Sequence, residues 1–215
     1  MRILSGSRQR DMAPDEFMAK LALFPKVHVD VGTGSGRYVL RHARKDKDTL
    51  FIGMDPVADA MITSALRADK LGRREGVNNL LFVISAIETF PAELNAVGSS
   101  ISVNLPWGLL RDGIVTADSQ ILGKLRLLGK TGCSFAIIIG YDDEREASEI
   151  ERRHLPQLSV DYFLSLHQEF ALNGIRIDTV DVLGNSELRI LESDWARKLA
   201  YGVQRRFYKL SGEYV

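Results

Sequence analysis

A glycine-rich loop beside an acid is the part of this 215-residue sequence best suited to bind a small ligand. Asp30 stands near the end of an apolar run, and Gly32, Gly34 and Gly36 follow it at alternate positions. Glycines let the backbone turn tightly and approach a ligand that a Cβ would keep away. The spacing differs from the G-x-G-x-x-G of dinucleotide sites, where a helix N-terminus holds the pyrophosphate. Because Asp30 would repel such an anion, the loop favours a ligand with an ammonium or sulfonium group.

Two more acids follow the next two predicted strands. Asp55 ends the second strand, where a carboxylate can accept both hydroxyls of a ribose. Glu88 comes just after the third strand, where a polar residue can meet the edge of an adenine. Adenosine with a cationic amino-acid tail suits all three acids, so the sequence predicts an S-adenosylmethionine site. The alternative is a glycine turn in an unrelated α/β protein.

The two tryptophans of the chain indicate a site for a nucleobase. The fourth predicted strand ends in Asn104-Leu-Pro-Trp-Gly108, which resembles the turn that methyltransferases of base amino groups use. Trp195 begins a basic stretch late in the chain. Two indoles could hold a flipped base between them. The alternative is that Trp107 or Trp195 is an ordinary core residue.

An open α/β sheet would bring these residues together at the carboxyl ends of its strands. Short apolar runs predict strands at residues 27–31, 50–54, 80–84, 100–103, 134–139, 175–182 and 206–210. Amphipathic stretches predict helices at 38–45, 56–71 and 121–128. Such alternation is typical of a parallel sheet covered on both faces, with an antiparallel pair formed by the last two strands. We predict one α/β domain over residues 1–215, with a hairpin extension at residues 1–14.

Composition excludes several classes of protein. The chain is 45% hydrophobic and 26% charged, as in globular proteins rather than disordered ones. Its 28 basic and 28 acidic residues exclude a globally basic nucleic-acid binder but leave room for a locally basic face. The single cysteine, Cys133, and four scattered histidines predict no disulfide and no metal site. Neither a membrane span nor a signal peptide is visible, so we expect a cytoplasmic protein.

Charged residues are clustered along the chain, and the basic clusters could contact phosphates or serve solubility alone. They comprise Arg67, Lys70, Arg73 and Arg74, then Arg152 and Arg153, then Arg197, Lys198, Arg205, Arg206 and Lys209. Six acids and one arginine lie between Asp142 and Glu151, which favours a solvated helix face.

Four segments together carry a resemblance to a known family. They begin at His28, Ile52, Asn104 and Trp195, and they include the glycine loop and both tryptophans. Over essentially its whole length, the chain resembles the aminoglycoside-resistance 16S rRNA (adenine 1408 N1)-methyltransferases, especially the NpmA-like branch. The resemblance implies a Rossmann-like fold with a seven-stranded, mostly parallel sheet and an N-terminal β-hairpin. It also implies S-adenosylmethionine as methyl donor and the decoding region of the 30S subunit as substrate.

The resemblance implies residue roles as well. The expected cofactor residues are Asp30, Gly32, Gly34, Asp55, Pro56, Ala86, Glu88, Asn104, Leu105 and Ser193. Trp107 and Trp195 would act as the catalytic pair by clamping the flipped adenine. RNA contacts are expected at Arg67, Glu146, Arg153, Lys198 and Arg205. Further contacts at Lys70, Arg73 and Arg74 would compensate for leucines where the branch has lysines.

The implied reaction needs orientation rather than a general base. Adenine N1 carries a free lone pair that can attack the sulfonium methyl directly, and the indole faces would favour the positive charge that develops. Attack by the exocyclic N6 amine, methylation of another RNA such as tRNA guanine N7, and an inactive ribosome-binding relative remain alternatives. A small-molecule methyltransferase is a further one. We expect a monomer that does not contact membranes.

Overall fold

The strands form one sheet in the computed structural model, which describes residues 1–142, 145–190 and 206–215. The described strands are β1 (Arg2–Ser5), β2 (Arg8–Asp11), β3 (Lys26–Val31), β4 (Thr49–Asp55), β5 (Leu80–Ile84), β6 (Gly98–Asn104), β7 (Gly129–Ile139), β8 (Ile175–Leu183) and β9 (Phe207–Tyr214). The described helices are α1 (Pro14–Leu21), α2 (Arg37–Lys45), α3 (Ala58–Glu75), α4 (Gly108–Val115), α5 (Ser119–Leu128), α6 (Ala147–Arg152), α7 (Val160–Ser165), α8 (His167–Leu172) and α9 (Asn185–Ile190). The sheet order is β2-β1-β5-β4-β3-β6-β7-β9-β8.

The central strands are buried on both faces, which explains their nearly continuous apolar sequences. In β4, Leu50, Ile52 and Met54 belong to the larger core cluster, to which α1, α4, α5, α7 and α8 contribute. Phe51 of the same strand belongs to a second cluster with α2 and α3. Because successive side chains of a strand point to opposite faces, β4 lies between two layers of helices.

The strand order reverses next to β3, and this reversal determines where a ligand site is expected. The chain runs outward from β3 through β4 to β5, then returns to β6 on the other side of β3. All of these neighbours are parallel. In such sheets the crevice beyond the carboxyl ends of the strands at the reversal point binds ligands. The loops after β3, β4 and β6 therefore converge there.

The sheet edges agree in part with the prediction. The last two strands are antiparallel, as expected, and β9 lies between β7 and β8. The predicted hairpin forms, but β1 also pairs with β5, so the described sheet has nine strands rather than seven. Ile3 and Leu4 are 2% and 5% exposed, and this burial is what attaches the hairpin to the sheet edge. The one-domain prediction for residues 1–215 includes residues outside the described ranges and stays a prediction.

Within the described ranges, no helix combines the length and the apolar character that crossing a bilayer requires.

Helix α5 offers a matched test of the packing. Leu125 is 1% exposed in the larger core cluster, whereas Leu127 of the same helix is 48% exposed. We expect Leu125→Ala to lower the free energy of unfolding by about 2–5 kcal/mol, because it leaves a cavity. Leu127→Ala should change it by no more than about 0.5 kcal/mol. Urea denaturation measures both, and equal losses would mean that α5 packs through a different face.

Candidate active site

A cavity of about 700 Å³ lies at the carboxyl ends of the central strands. Its lining includes every described residue predicted to bind the cofactor: Asp30, Gly32, Gly34, Asp55, Pro56, Ala86, Glu88, Asn104 and Leu105. Trp107 lines the same cavity. The predicted Ser193 and Trp195 lie outside the described residues. Sequence reasoning missed Tyr38 of α2, which also borders the cavity. Its place in the first turn of α2, two residues after Gly36, was the available signal.

The glycine loop has the backbone conformation that its sequence predicts. Gly34 has φ of +56°, in the left-handed region, and its N–H donates to Asp55 Oδ2 at 2.9 Å. Gly36 also has a positive φ, and a Cβ there would clash with the ring of Phe82. Helix α2 begins directly after Gly36. The loop is thus held between α2 and the end of β4, with its backbone facing the cavity.

Asp30 is the buried anion of the site, with only 1% of its surface exposed. Its Oδ1 accepts a hydrogen bond from Ser102 Oγ at 2.5 Å and another from Asn104 Nδ2 at 2.9 Å. Burial raises the pKa of Asp30 to about 6, although these hydrogen bonds favour the ionised form. A cationic group in the cavity would stabilise that form further. The donor set therefore fits the charged tail of S-adenosylmethionine.

Asp55 organises the two loops that would hold the nucleoside. Its Oδ2 accepts from Gly34 and its Oδ1 accepts from the N–H of Val57 at 2.9 Å. Burial raises the pKa of Asp55, and the two backbone hydrogen bonds oppose this rise. Each carboxylate oxygen retains a second lone pair, which is what the hydroxyls of a ribose require. Glu88 lies in a short 3₁₀ turn after β5 on the same cavity.

The turn after β6 presents an aromatic side chain at the cavity. Leu105 has φ of +54°, which costs a non-glycine residue on the order of 1 kcal/mol, and its N–H donates to the carbonyl of Ile138 at 2.8 Å. The Leu105 side chain is buried, whereas Trp107 is 51% exposed. The strained turn thus directs a large apolar ring towards solvent and the cavity. This arrangement suits stacking on a planar ligand.

Arg111 is a site residue that sequence reasoning missed. It is 2% exposed, and its guanidinium donates to Asp112 at 3.0 Å and to Glu146 at 3.1 Å. The same group lies 5.4 Å from the ring centre of Trp107 and 5.7 Å from that of Tyr141. The available signal was its spacing of four residues from Trp107, which places both on one side of a helical turn. Arg111 is therefore held by two carboxylates and placed against the Trp107 ring.

The acidic run is more than a solvated helix face, which corrects the sequence-based interpretation. Glu146 pairs with Arg111, and Arg153 pairs with Asp112 and Glu149. The pairs with Arg111 and Asp112 attach the segment around α6 to α4, whereas the pair with Glu149 lies within that segment. Both Glu146 and Arg153 were predicted to contact RNA. That role stays a prediction, and in the structure their charges contact other protein groups.

The predicted RNA contacts on α3 lie apart from the cavity. Arg67, Lys70, Arg73 and Arg74 are exposed on the second half of α3. The helix rise places them roughly 10–20 Å from its first turn, which borders the cavity. Lys198 and Arg205 lie outside the described residues. The basic surface of α3 could contact phosphates distant from the target base, and this stays a prediction.

The burial of Asp30 predicts a pH-dependent stability. Because its pKa is raised above the ordinary value of 3.8 to about 6, ionisation costs stability as the pH rises through this range. Asp30→Asn removes that cost. We expect the cofactor-free variant to match the wild type near pH 4 and to exceed its free energy of unfolding by up to about 3 kcal/mol at pH 7. Urea denaturation at both pH values measures the difference.

The same substitution should weaken cofactor binding, because it removes the charge that would pair with a cationic tail. Stability and affinity for S-adenosylmethionine should therefore change in opposite directions at pH 7. A variant that loses both would show that Asp30 is required for folding, and unchanged affinity would contradict its assignment to the cofactor site.

Known proteins resemble this chain over its whole length. A family model described as NpmA, 16S rRNA (adenine(1408)-N(1))-methyltransferase, matches residues 2–214. The 16S rRNA (adenine(1408)-N(1))-methyltransferase of Escherichia coli is 37% identical over 214 residues, which are 99% of this chain and 98% of that protein. A crystal structure of a variant of such an enzyme from Catenulisporales acidiphilia, with cosubstrate SAM, is 33% identical and has a TM-score of 0.90. The match covers 100% of this chain and 96% of that one.

Similarity to a tRNA enzyme is more limited. A tRNA (guanine-N(7)-)-methyltransferase of Campylobacter jejuni is 28% identical over 97 residues, which are 44% of this chain and 23% of that protein.

The family predicted from the four motif segments is confirmed, and so is the methyltransferase fold. The chain belongs to the family of 16S rRNA (adenine(1408)-N(1))-methyltransferases.

Proposed function

We propose that this chain transfers a methyl group from S-adenosylmethionine to N1 of adenine 1408 of 16S rRNA, and thereby confers resistance to aminoglycosides. The observation that carries the proposal is one cavity that contains the buried carboxylate of Asp30 and the exposed ring of Trp107. The first suits a cationic cofactor and the second suits a nucleobase. Membership of the rRNA-methylating family supports this substrate. The proposed substrate is the assembled 30S subunit. We propose that the chain acts on it as a monomer in the cytoplasm.

The bound cofactor supplies an electrophilic methyl group on a sulfonium. Asp30 would hold its charged tail, and Asp55 would accept its ribose hydroxyls. Trp107 would stack on the adenine and hold it in line with the methyl group, at a gain of roughly 1–3 kcal/mol. Adenine N1 attacks with its own lone pair, so no side chain has to remove a proton. The site contributes by orientation, which is where most of the rate enhancement of such a reaction can arise.

Arg111 would lower the entropic cost of binding the adenine against Trp107. Since its guanidinium contacts the Trp107 ring and is itself fixed by two carboxylates, the aromatic surface is ordered before the base arrives. A surface that is ordered in advance loses less conformational entropy on binding. Trp195, which lies outside the described residues, is proposed for the other face of the base.

Attack by the N6 amine is the alternative that a specific contact favours. Asn104 Nδ2 donates to Asp30, so the amide oxygen of Asn104 is left as an acceptor that could receive an amine N–H. The two products differ in one measurable respect. A methyl on N1 blocks Watson–Crick pairing, whereas a methyl on N6 generally lets a polymerase pass.

Reverse-transcriptase primer extension tests the proposal directly. We expect 30S subunits treated with the purified chain and S-adenosylmethionine to give a stop beside adenine 1408. Subunits treated without the cofactor are the control. Incorporation of labelled methyl without a stop would favour N6, and labelling of tRNA rather than 30S would contradict the proposed substrate.

A double-mutant cycle tests the role of Arg111. We expect Trp107→Ala to reduce methyl transfer to 30S by about 10–100-fold, from the loss of one stacking surface. Arg111→Met should reduce it by about tenfold in the wild type but have little further effect in the Trp107→Ala background, because both changes act through one ring. Affinity for S-adenosylmethionine, measured by calorimetry, should stay near the wild-type value. Additive losses would show that Arg111 acts independently of Trp107.

A further inference from the structure

The two strands at the reversal point carry a line of polar side chains on one face. His28 and Asp30 of β3 lie beside Ser100, Ser102 and Asn104 of β6, in parallel register. The alternate residues of both strands face the apolar core instead. Central strands of a parallel sheet are usually apolar on both faces, so this polar line is unusual. It ends at the cofactor cavity with Asp30 and Asn104.

Three hydrogen bonds connect the members of this line. His28 Nδ1 lies 2.7 Å from Ser100 Oγ, and His28 Nε2 lies 2.9 Å from Ser102 Oγ. Ser102 Oγ in turn lies 2.5 Å from Asp30 Oδ1. A continuous chain of hydrogen bonds therefore runs from Ser100 through His28 to the carboxylate.

The number of protons fixes the direction of this chain when Asp30 is ionised. A carboxylate only accepts, so the single proton of the Ser102 hydroxyl points to Asp30. The Ser102 oxygen can then only accept from His28, and Nε2 must carry the imidazole proton. A neutral imidazole has one N–H, so Nδ1 accepts from Ser100. All three hydrogen bonds thus have their donors directed towards Asp30. Hydrogen bonds aligned in such a chain strengthen one another.

The surroundings of His28 keep its ring neutral, as this pattern requires. Burial, and to a smaller extent the charge of His42 on α2, lower the pKa of His28 to about 4. Tyr38 of α2 and Phe51 of β4 have ring centres 6.0 and 5.4 Å from that of His28. Next to Asp30, the carboxylate of Asp55 on β4 is the charged group that opposes ionisation.

We propose that His28 is a positioning residue of the cofactor site: through Ser102 it directs a hydroxyl proton at Asp30, and so sets the pH range in which Asp30 binds a cationic cofactor. The inference rests on the proposed use of S-adenosylmethionine by this cavity. Without the chain, ionised Asp30 would lose a charge-assisted hydrogen bond, and its protonated form would persist to higher pH. Cofactor affinity at neutral pH would then fall.

Calorimetric titration of the full chain with S-adenosylmethionine from pH 5 to pH 8.5 tests the inference without any RNA. In the wild type, affinity should fall about tenfold per pH unit below the pKa of Asp30, which is about 6. Ser102→Ala should move this midpoint up by about one to two pH units. His28→Asn, which cannot reach Ser102, should move it in the same direction. His28→Gln, whose amide nitrogen can occupy the position of Nε2, should restore it towards the wild type.

Ser99→Ala is the matched control on the same strand, because the Ser99 hydroxyl accepts from the N–H of Val27 and is no part of the chain. Its midpoint should equal that of the wild type. A shift in Ser102→Ala alone would overturn the role of His28, and no shift in either variant would overturn the whole chain. A wild type that binds no cofactor at any pH would instead overturn the proposed cofactor use.

Nitrogen NMR of the imidazole rings keeps the inference testable if the variants fail to fold. Only four histidines need assignment in the wild type. At pH 7.5 His28 should be the neutral tautomer with its proton on Nε2. A proton on Nδ1, or a charged ring, would overturn the inference.

Discussion

The proposed site depends on one costly constraint, a carboxylate inside a sheet that has to be ionised to pair with a cation. Asp30 is almost fully buried, and an unpaired charge there would be strongly destabilising. Ser102 and Asn104 reduce that cost because the parallel register of β3 and β6 places them beside Asp30. Helices can cover the rest of the sheet with apolar residues, but this line of the two strands must stay polar. In the proposed function, the binding of a cationic cofactor would make this arrangement favourable.

The proposed function divides the site into a cofactor half and a base half, and these are ordered in different ways. The cofactor half uses backbone: Asp55 accepts two main-chain N–H groups, and the glycine loop needs little from side chains. The base half uses an ion-pair network in which Arg111 connects Trp107 to a segment after β7. Backbone contacts tolerate sequence change in their neighbours, whereas each member of a charge network depends on the others. Substitutions of the charged residues that connect α4 and α6 should therefore affect substrate handling more than cofactor binding.

The sequence placed the described residues predicted for the cofactor at one cavity because the signals for them are local. Asp30, Gly34 and Asp55 follow apolar runs closely, and parallel strands must end at one edge. Arg111 escaped prediction because its partner Glu146 is 35 positions away in sequence, and only the fold brings them together. The attachment of the hairpin to β5 was missed for the same reason. The positive φ of Leu105 could not be foreseen either, since tertiary contacts rather than residue preference impose it.

The order of strands also has a consequence for the biogenesis of the protein. Among the described strands, β8 pairs with β9 alone, although it precedes β9 in the chain. During synthesis β8 therefore has no strand to pair with until residues Phe207–Tyr214 have left the ribosome. The predicted base-binding segment around Trp195 runs between these two strands. The described part of the cavity, built on β3, β4, β5 and β6, would thus be synthesised well before both ends of that segment are anchored.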